Sequence, residues 1–252
     1  MIRDDGSYEL AGVVHLMRPV GEEARDLEEL RLAIARVPPR SIFHHTASRL
    51  MRHPFSTELP SDDFSAWLAG VVQDRETAER LAYVVQSTSA NVEELRGALL
   101  ARLDAVPEKL RRAHDAPPGG EFVFITVESV PLPTGQRAFD VPELVTILAN
   151  AEASVWFHHL IEEPVFLAAD ETLGGWLREH GDARLADVLE SGVRSGRPLV
   201  EVRKKVLQGW RMRGLGTRVA AAARSTENER SEAGRAVVTR LARRIRGGGG
   251  AR

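Results

Sequence analysis

Histidine occurs twice as an adjacent pair, in Ser41-Ile42-Phe43-His44-His45 and in Trp156-Phe157-His158-His159. Imidazole titrates near neutrality and ligates divalent metals, so metal binding or proton transfer in this chain would be built from these four side chains. Neighbouring residues on a helix point about 100° apart. The two members of one pair therefore cannot easily chelate a single ion, and one of each pair is expected to face inward. Carboxylates follow the second pair one helical turn on, Glu162 four residues after His158 and Glu163 four after His159. In the first pair the corresponding positions are Ser48 and Arg49. If the two histidine helices face one another, one ring from each could converge on a divalent metal, with Glu162 or Glu163 adding a carboxylate. The plainer reading of the same four residues is hydrogen-bonded core histidines, and on it no cofactor is expected.

Other chemistry is less well supported. His53 with Asp62 or Asp63 could serve as a general acid or base, but both aspartates have the spacing of helix caps. The tryptophans at 67, 156, 176 and 210 stand beside leucines at helical spacing, which favours core packing over a sugar-binding face. Gly214-Leu215-Gly216 follows a basic helical stretch rather than a strand, so it is not a phosphate loop.

The elements that would position the histidines recur. His45 and His159 are 114 residues apart, as are Gly21 and Gly135, Asp26 and Asp140, Glu29 and Glu143, and Leu30 and Leu144. After a deletion of about five residues, Trp67-Leu68 matches Trp176-Leu177, with Ser61 and Asp170 at the same helix start, and Arg80-Leu81-Ala82 matches Arg184-Leu185-Ala186. The spacing predicts two related units, at 7–105 and 121–213, joined by a Pro- and Gly-containing linker over 106–120. Each unit begins with a strand, at 8–14 and more clearly at 122–128. A tight turn is expected next, at Arg18-Pro19-Val20-Gly21 and Leu132-Pro133-Thr134-Gly135. Helices follow: in the first unit one capped by Asp26, one from about Ser41 carrying His44 and His45, one capped near Ser61 to Asp63, then 75–85 and 92–103. The second unit repeats the order, with helices at 140–150, at His158-His159, from Asp170 through Trp176, at 183–191 and at 198–213. Lone strands have unstable edges, so the two are expected to pair with each other or with a partner chain. The fold class is α+β, predominantly helical, in a pseudo-twofold arrangement.

Net charge is −2, but its distribution is uneven. From Arg211 onward eleven arginines face three glutamates, a charge of +8 that leaves the preceding body near −10. The segment 214–252 reads as a basic tail. Within it Val237, Val238, Leu241 and Ile245 form an apolar stripe opposite Arg235, Arg240, Arg243 and Arg244, with Arg246 beyond. Such a tail could contact a protein partner, the chain's own acidic body, an anionic surface or nucleic acid. No aromatic residue interleaves the arginines, so base stacking is not indicated. The chain has no cysteine, which excludes disulfides and thiolate metal sites. Its apolar runs are too short for a membrane span, and acidic residues stand where a signal peptide carries positive charge; a cytoplasmic location is expected.

The strand, the Leu132-Pro133-Thr134-Gly135 segment, the Asp-x-x-Glu-Leu helix, Ser41-Ile42-Phe43-His44-His45, Asp62-Asp63-Phe64-Ser65-Ala66-Trp67 and Glu79-Arg80-Leu81-Ala82 together resemble the prokaryotic domain of unknown function numbered 5752. The resemblance covers about residues 7–213 as two tandem copies and implies no established activity. The second copy departs from the pattern, with Leu173 for the phenylalanine and no histidine equivalent to His53. On these observations the expected function is non-catalytic binding or scaffolding, with the basic tail contacting a partner. The alternatives are a metal-dependent enzyme with a site between the units, and nucleic-acid or anionic-surface binding through the tail. Homo-oligomerisation through the strands stays open.

Overall fold

Two long strands carry the architecture of the computed structural model, which describes residues 1–47, 62–87, 91–194 and 199–213. Strand β1 spans Tyr8–Ala24 and β2 spans Phe122–Ala138, and they pair with each other as an antiparallel ribbon. Val14 lies opposite Val130 and His15 opposite Ser129, while the ends pair Tyr8 with Ala138 and Ala24 with Phe122. Each strand divides into two stretches. Tyr8, Leu10, Ala11 and Val13 are buried, as are Phe122, Phe124 and Val127, whereas Val14, Leu16, Met17, Val130 and Leu132 are exposed.

The two expected turns are instead bulges inside the strands. The register shifts between Pro19 and Glu23 on β1 and, opposite Glu9 and Ala11, between Pro133 and Arg137 on β2. Proline lacks the N–H that a continuous ladder needs, and Gly21 and Gly135 take φ of +86° and +71°, which glycine alone adopts without strain. A proline followed two residues later by such a glycine kinks and twists the ribbon without reversing the chain.

A first group of helices follows β1: α1 (Leu27–Arg36), α2 (Pro39–Thr46), α3 (Asp63–Trp67), α4 (Arg75–Ser87) and α5 (Val92–Asp104). Asp26, Asp62 and Asn91 cap α1, α3 and α5 by accepting from backbone N–H groups two to three residues on. Helix α2 starts two residues earlier than expected because Pro39 supplies a preset φ in its first turn. A π-helical turn, Leu68–Val72, extends α3. Leu30, Ile34, Ile42, Phe64, Leu68, Leu81, Leu99 and Leu103 are fully buried in one core, which also takes in Phe122 and Phe124 of β2. Thus the first stretch of the second strand completes the core of the first helical group.

The connection to β2 is fastened, despite its Pro- and Gly-rich composition. Within α6 (Glu108–Arg111), Arg111 ion-pairs with buried Glu28 of α1 and donates to Val106 O at 2.6 Å. Arg31, at 2.7 Å, and then Arg111 hold the Glu28 carboxyl down to about 2. Ala116 N–H donates to Arg25 O at 2.7 Å.

The second group comprises α7 (Val141–Asn150), α8 (Ala153–Phe157), a π-helical turn His158–Glu162, α9 (Glu163–Phe166), α10 (Leu173–Glu179) and α11 (Ala183–Arg194), with residues 199–206 helical. Thr172, not Asp170, caps α10, its hydroxyl accepting from Gly175 N–H at 3.2 Å. A methyl group at Gly175 would lie 2.4 Å from Ala169 O and 2.8 Å from Asp170 O, both backbone. Gly175→Ala is therefore expected to cost about 1–3 kcal/mol, read as a lower midpoint in urea unfolding. Trp156, Phe157, Leu173, Trp176 and Leu177 form the buried centre of this group, and Tyr8 of β1 packs against Trp176 with ring centroids 5.7 Å apart. Residues Met1–Val206 make one unit by their contacts; the boundary falls before Leu207, and 207–213 beyond it are described and helical. The tail arginines Arg235, Arg240, Arg243, Arg244 and Arg246, along with Ser48, Arg49, His53 and Ser61, lie outside the described residues.

Candidate functional site

Each inward histidine fastens a helix of one group to a strand. His45, in the last turn of α2, accepts the Ile125 N–H of β2 at Nε2 (2.9 Å) and meets Asp63 Oδ2 at Nδ1 (3.0 Å). A nitrogen that accepts an N–H carries no proton, so the ring's proton is on Nδ1 and is donated to Asp63. Beside it, Ser41 Oγ donates to Ile125 O at 2.8 Å. Phe64, Phe122 and Phe124 surround the His45 ring with centroids 4.8–5.8 Å away.

His159 repeats this arrangement on the other strand. It accepts the Ala11 N–H of β1 at Nε2 (2.9 Å), and its Nδ1–H meets Tyr8 Oη at 2.9 Å. Tyr8 in turn donates to Glu163 Oε2 at 2.6 Å. His159 Nδ1 is also 2.9 Å from Glu163 Oε1, but its one proton is engaged by the tyrosine, which leaves Oε1 without a hydrogen bond. The tryptophans reinforce the same crossings: Trp67 Nε1–H donates to Gly120 O (2.7 Å) just before β2, and Trp176 Nε1–H to Gly6 O (2.9 Å) just before β1.

The outer histidines differ. His44 is buried like His45, so both members of the first pair are inside, contrary to the expectation of one. The His158 side chain is 13% exposed; its Nδ1 lies 3.0 Å from Glu162 Oε2 and its Nε2 3.8 Å from Glu163 Oε1. Glu162 reaches the middle of the ribbon. Its Oε1 meets Ser129 Oγ, Arg40 NH1 at 3.3 Å and His15 Nε2 at 3.6 Å. His15 packs edge-on between Phe43 and Phe157, at centroid distances of 6.1 and 5.6 Å. Ser129, Arg40 and His15 were not singled out by the sequence, since their meeting depends on the ribbon register.

Potential metal ligands gather in two separate groups among the described residues, His44 with His45 and Asp63, and His158 with His159 and Glu163. Neither combines histidines from both pairs. In each group the inward ring has both nitrogens engaged, so His45 and His159 hold the fold rather than present a lone pair.

Buried charge in this region makes stability depend on pH. Burial opposes charging of Glu162, but His15, His158 and Ser129 more than offset it and hold its carboxyl below the ordinary range. Glu163 is likewise lowered, with His159 and Tyr8 outweighing burial. Burial lowers His159 despite the opposing pull of Glu163. The unfolded chain therefore takes up protons that the folded one refuses, at His159 from its ordinary 6.5 downward and at the glutamates from 4.5 downward. Unfolding free energy is expected to fall steadily from pH 7.5 to pH 4, checked by urea titration at each pH.

A mostly helical α+β protein built on a two-stranded ribbon, with paired histidines spanning helix and strand, is the class that fold and site define. The chain belongs to the family described as a family of unknown function, DUF5752, whose model matches residues 6–208. It is similar in fold to the solved structure of OrfY from Thermoproteus tenax, with a TM-score of 0.63 and 23% identity over 79% of this chain and 95% of that one. No curated protein sequence matches. No helix among the described residues is long and apolar enough to cross a membrane.

Proposed function

We propose that the protein is a non-catalytic binding or scaffolding protein, a duplicated helical body around a shared ribbon, with the basic tail as a second contact for a protein partner. The observation that carries this reading is the saturation of both inward histidines by a backbone N–H on one side and an acid or phenol on the other. Rings so engaged supply rigidity and no reactive group.

The duplication is supported by the ribbon itself. An offset of 114 residues carries Tyr8–Ala24 onto Phe122–Ala138, and it turns the register into itself, so that the pair Val13 with Pro131 becomes Val127 with Met17. The same offset relates the donors Ala11 and Ile125 and the acceptors Gly6 and Gly120. On this reading each copy lends its strand to the other copy's helices.

The outer side of the ribbon offers the binding surface, with Val14, Leu16, Val130 and Leu132 exposed. Leu16→Glu with Leu132→Glu is expected to leave the circular dichroism spectrum and melting temperature unchanged while abolishing co-purification of a partner from the cell of origin. Loss of the partner only on deletion after Arg213 would assign binding to the tail instead. Salt-sensitive retention of nucleic acid by that tail would replace the protein-partner reading.

A further inference from the structure

We propose that His158 Nε2 and Glu163 Oε1 together take one divalent transition-metal ion of the zinc type, with water completing its coordination. The site goes beyond the proposed binding role, which requires no ion.

Four observations converge on it. Glu163 is 2% exposed, and its Oε1 has no hydrogen bond, because the Tyr8 hydroxyl goes to Oε2 and the His159 proton goes to Tyr8. An oxygen stripped of water and given no donor is an expense the fold offsets elsewhere or relieves with a cation. Next, His158 Nδ1 stands 3.0 Å from Glu162 Oε2. Glu162 Oε2 is the acceptor in that contact, which puts the ring proton on Nδ1 and leaves Nε2 with its lone pair.

Third, Nε2 and Oε1 are 3.8 Å apart. That is too long for a hydrogen bond, yet two ligands each about 2.0–2.2 Å from a common ion stand about 3–4 Å apart. Glu162 then plays the part that carboxylates commonly play behind a metal-bound imidazole, holding its far N–H and its ring plane. Fourth, charge is unbalanced. Arg40 answers Glu162, but beside Glu163 stand the neutral His159 ring and the Tyr8 hydroxyl. The Met1 ammonium, 3.8 Å from the same Oε1 and half exposed, is the competing cation.

An imidazole with a carboxylate suits zinc, cobalt or nickel better than calcium or magnesium, which prefer all-oxygen shells. The 13% exposure of the His158 side chain gives the ion and its waters a way in. The first histidine pair does not repeat the arrangement. There Asp63 accepts the His45 proton and is 28% exposed, and the positions 114 residues before Glu162 and Glu163 are Ser48 and Arg49.

The test is isothermal titration of zinc chloride into the full-length, tag-free protein stripped with chelator, paired with elemental mass spectrometry after dialysis. The expected result is one equivalent per chain, with His158→Ala weakening binding at least tenfold and His44→Ala leaving it unchanged. Glu162→Gln should weaken it roughly 10- to 100-fold by releasing the ring. Circular dichroism reports whether each variant is folded, and His158→Gln stands in if the alanine variant is not. Absence of saturable one-to-one binding by the wild type, or binding that survives both His158 substitutions, overturns the proposal. A wild type that binds no zinc, with a melting temperature lowered by a short N-terminal extension, would assign the counter-charge to the Met1 ammonium.

Discussion

His159→Ala lowers the unfolding free energy by about 3–5 kcal/mol, the largest loss expected from any single substitution at the histidine pairs. The ring is fully buried and holds two hydrogen-bond partners at once. Its removal leaves the Ala11 N–H of β1 without an acceptor and Tyr8 Oη without a donor, and it opens a cavity beside the Tyr8 ring. Each stranded buried group costs about 1–3 kcal/mol and the void adds its own share. In a unit of this size the melting temperature should fall by roughly 10 °C or more. His159→Gln should recover part of the loss, because its amide oxygen can take the Ala11 N–H. Urea unfolding of the three proteins measures the difference; equal stability of wild type and His159→Ala would remove the histidine from the account.

His45→Ala follows the same logic with a smaller effect, about 2–4 kcal/mol. The Ile125 N–H of β2 loses its acceptor and three phenylalanines lose a neighbour. Asp63, however, is 28% exposed and can turn to water, whereas Glu163 cannot. His45 and His159 share no hydrogen-bond partner, so the two losses should add to within about half a kcal/mol. Their sum approaches the whole stability of many domains, and the double variant is expected to be unfolded or nearly so at 37 °C. Parallel urea titrations of the single variants give the ordering; a larger loss for His45→Ala than for His159→Ala would contradict the burial argument.

Much of the helical frame is legible in the sequence because its signals are local. Asp26, Asp62, Asn91 and Asp140 cap helices within three residues of themselves, and the apolar stripe of Leu27, Leu30, Ala33 and Ile34 needs only its own period. The ribbon is less legible. Pro19 with Gly21 and Pro133 with Gly135 have the composition of tight turns, and only the partner strand reveals them as bulges. The sequence starts α10 at Asp170, two residues before its cap Thr172, which is the weaker sequence signal of the two.

The histidine pairs stand out by repetition, but their roles do not. The partners of His45 and His159 on the strands lie 80 and 148 residues away. Periodicity cannot supply such contacts, and the antiparallel register fixes them. Asp63 reads as a cap and is instead the His45 acceptor, because Asp62 has already taken the capping position. Glu162 and Glu163 were named with the histidines from their i, i+4 spacing, and both do meet them. The convergence of Glu162 with His15, Arg40 and Ser129 had no signal, as those residues come from three separate elements.

The most direct test of the histidines as structural fasteners is long-range proton–nitrogen NMR of the imidazole rings across pH 5–8. The account predicts that at pH 8 His45 and His159 both show a protonated Nδ1 and an unprotonated Nε2, and that His159 gains its second proton only below its ordinary 6.5. An Nε2–H tautomer at either ring, or a His159 that gains its second proton near 6.5, would contradict it.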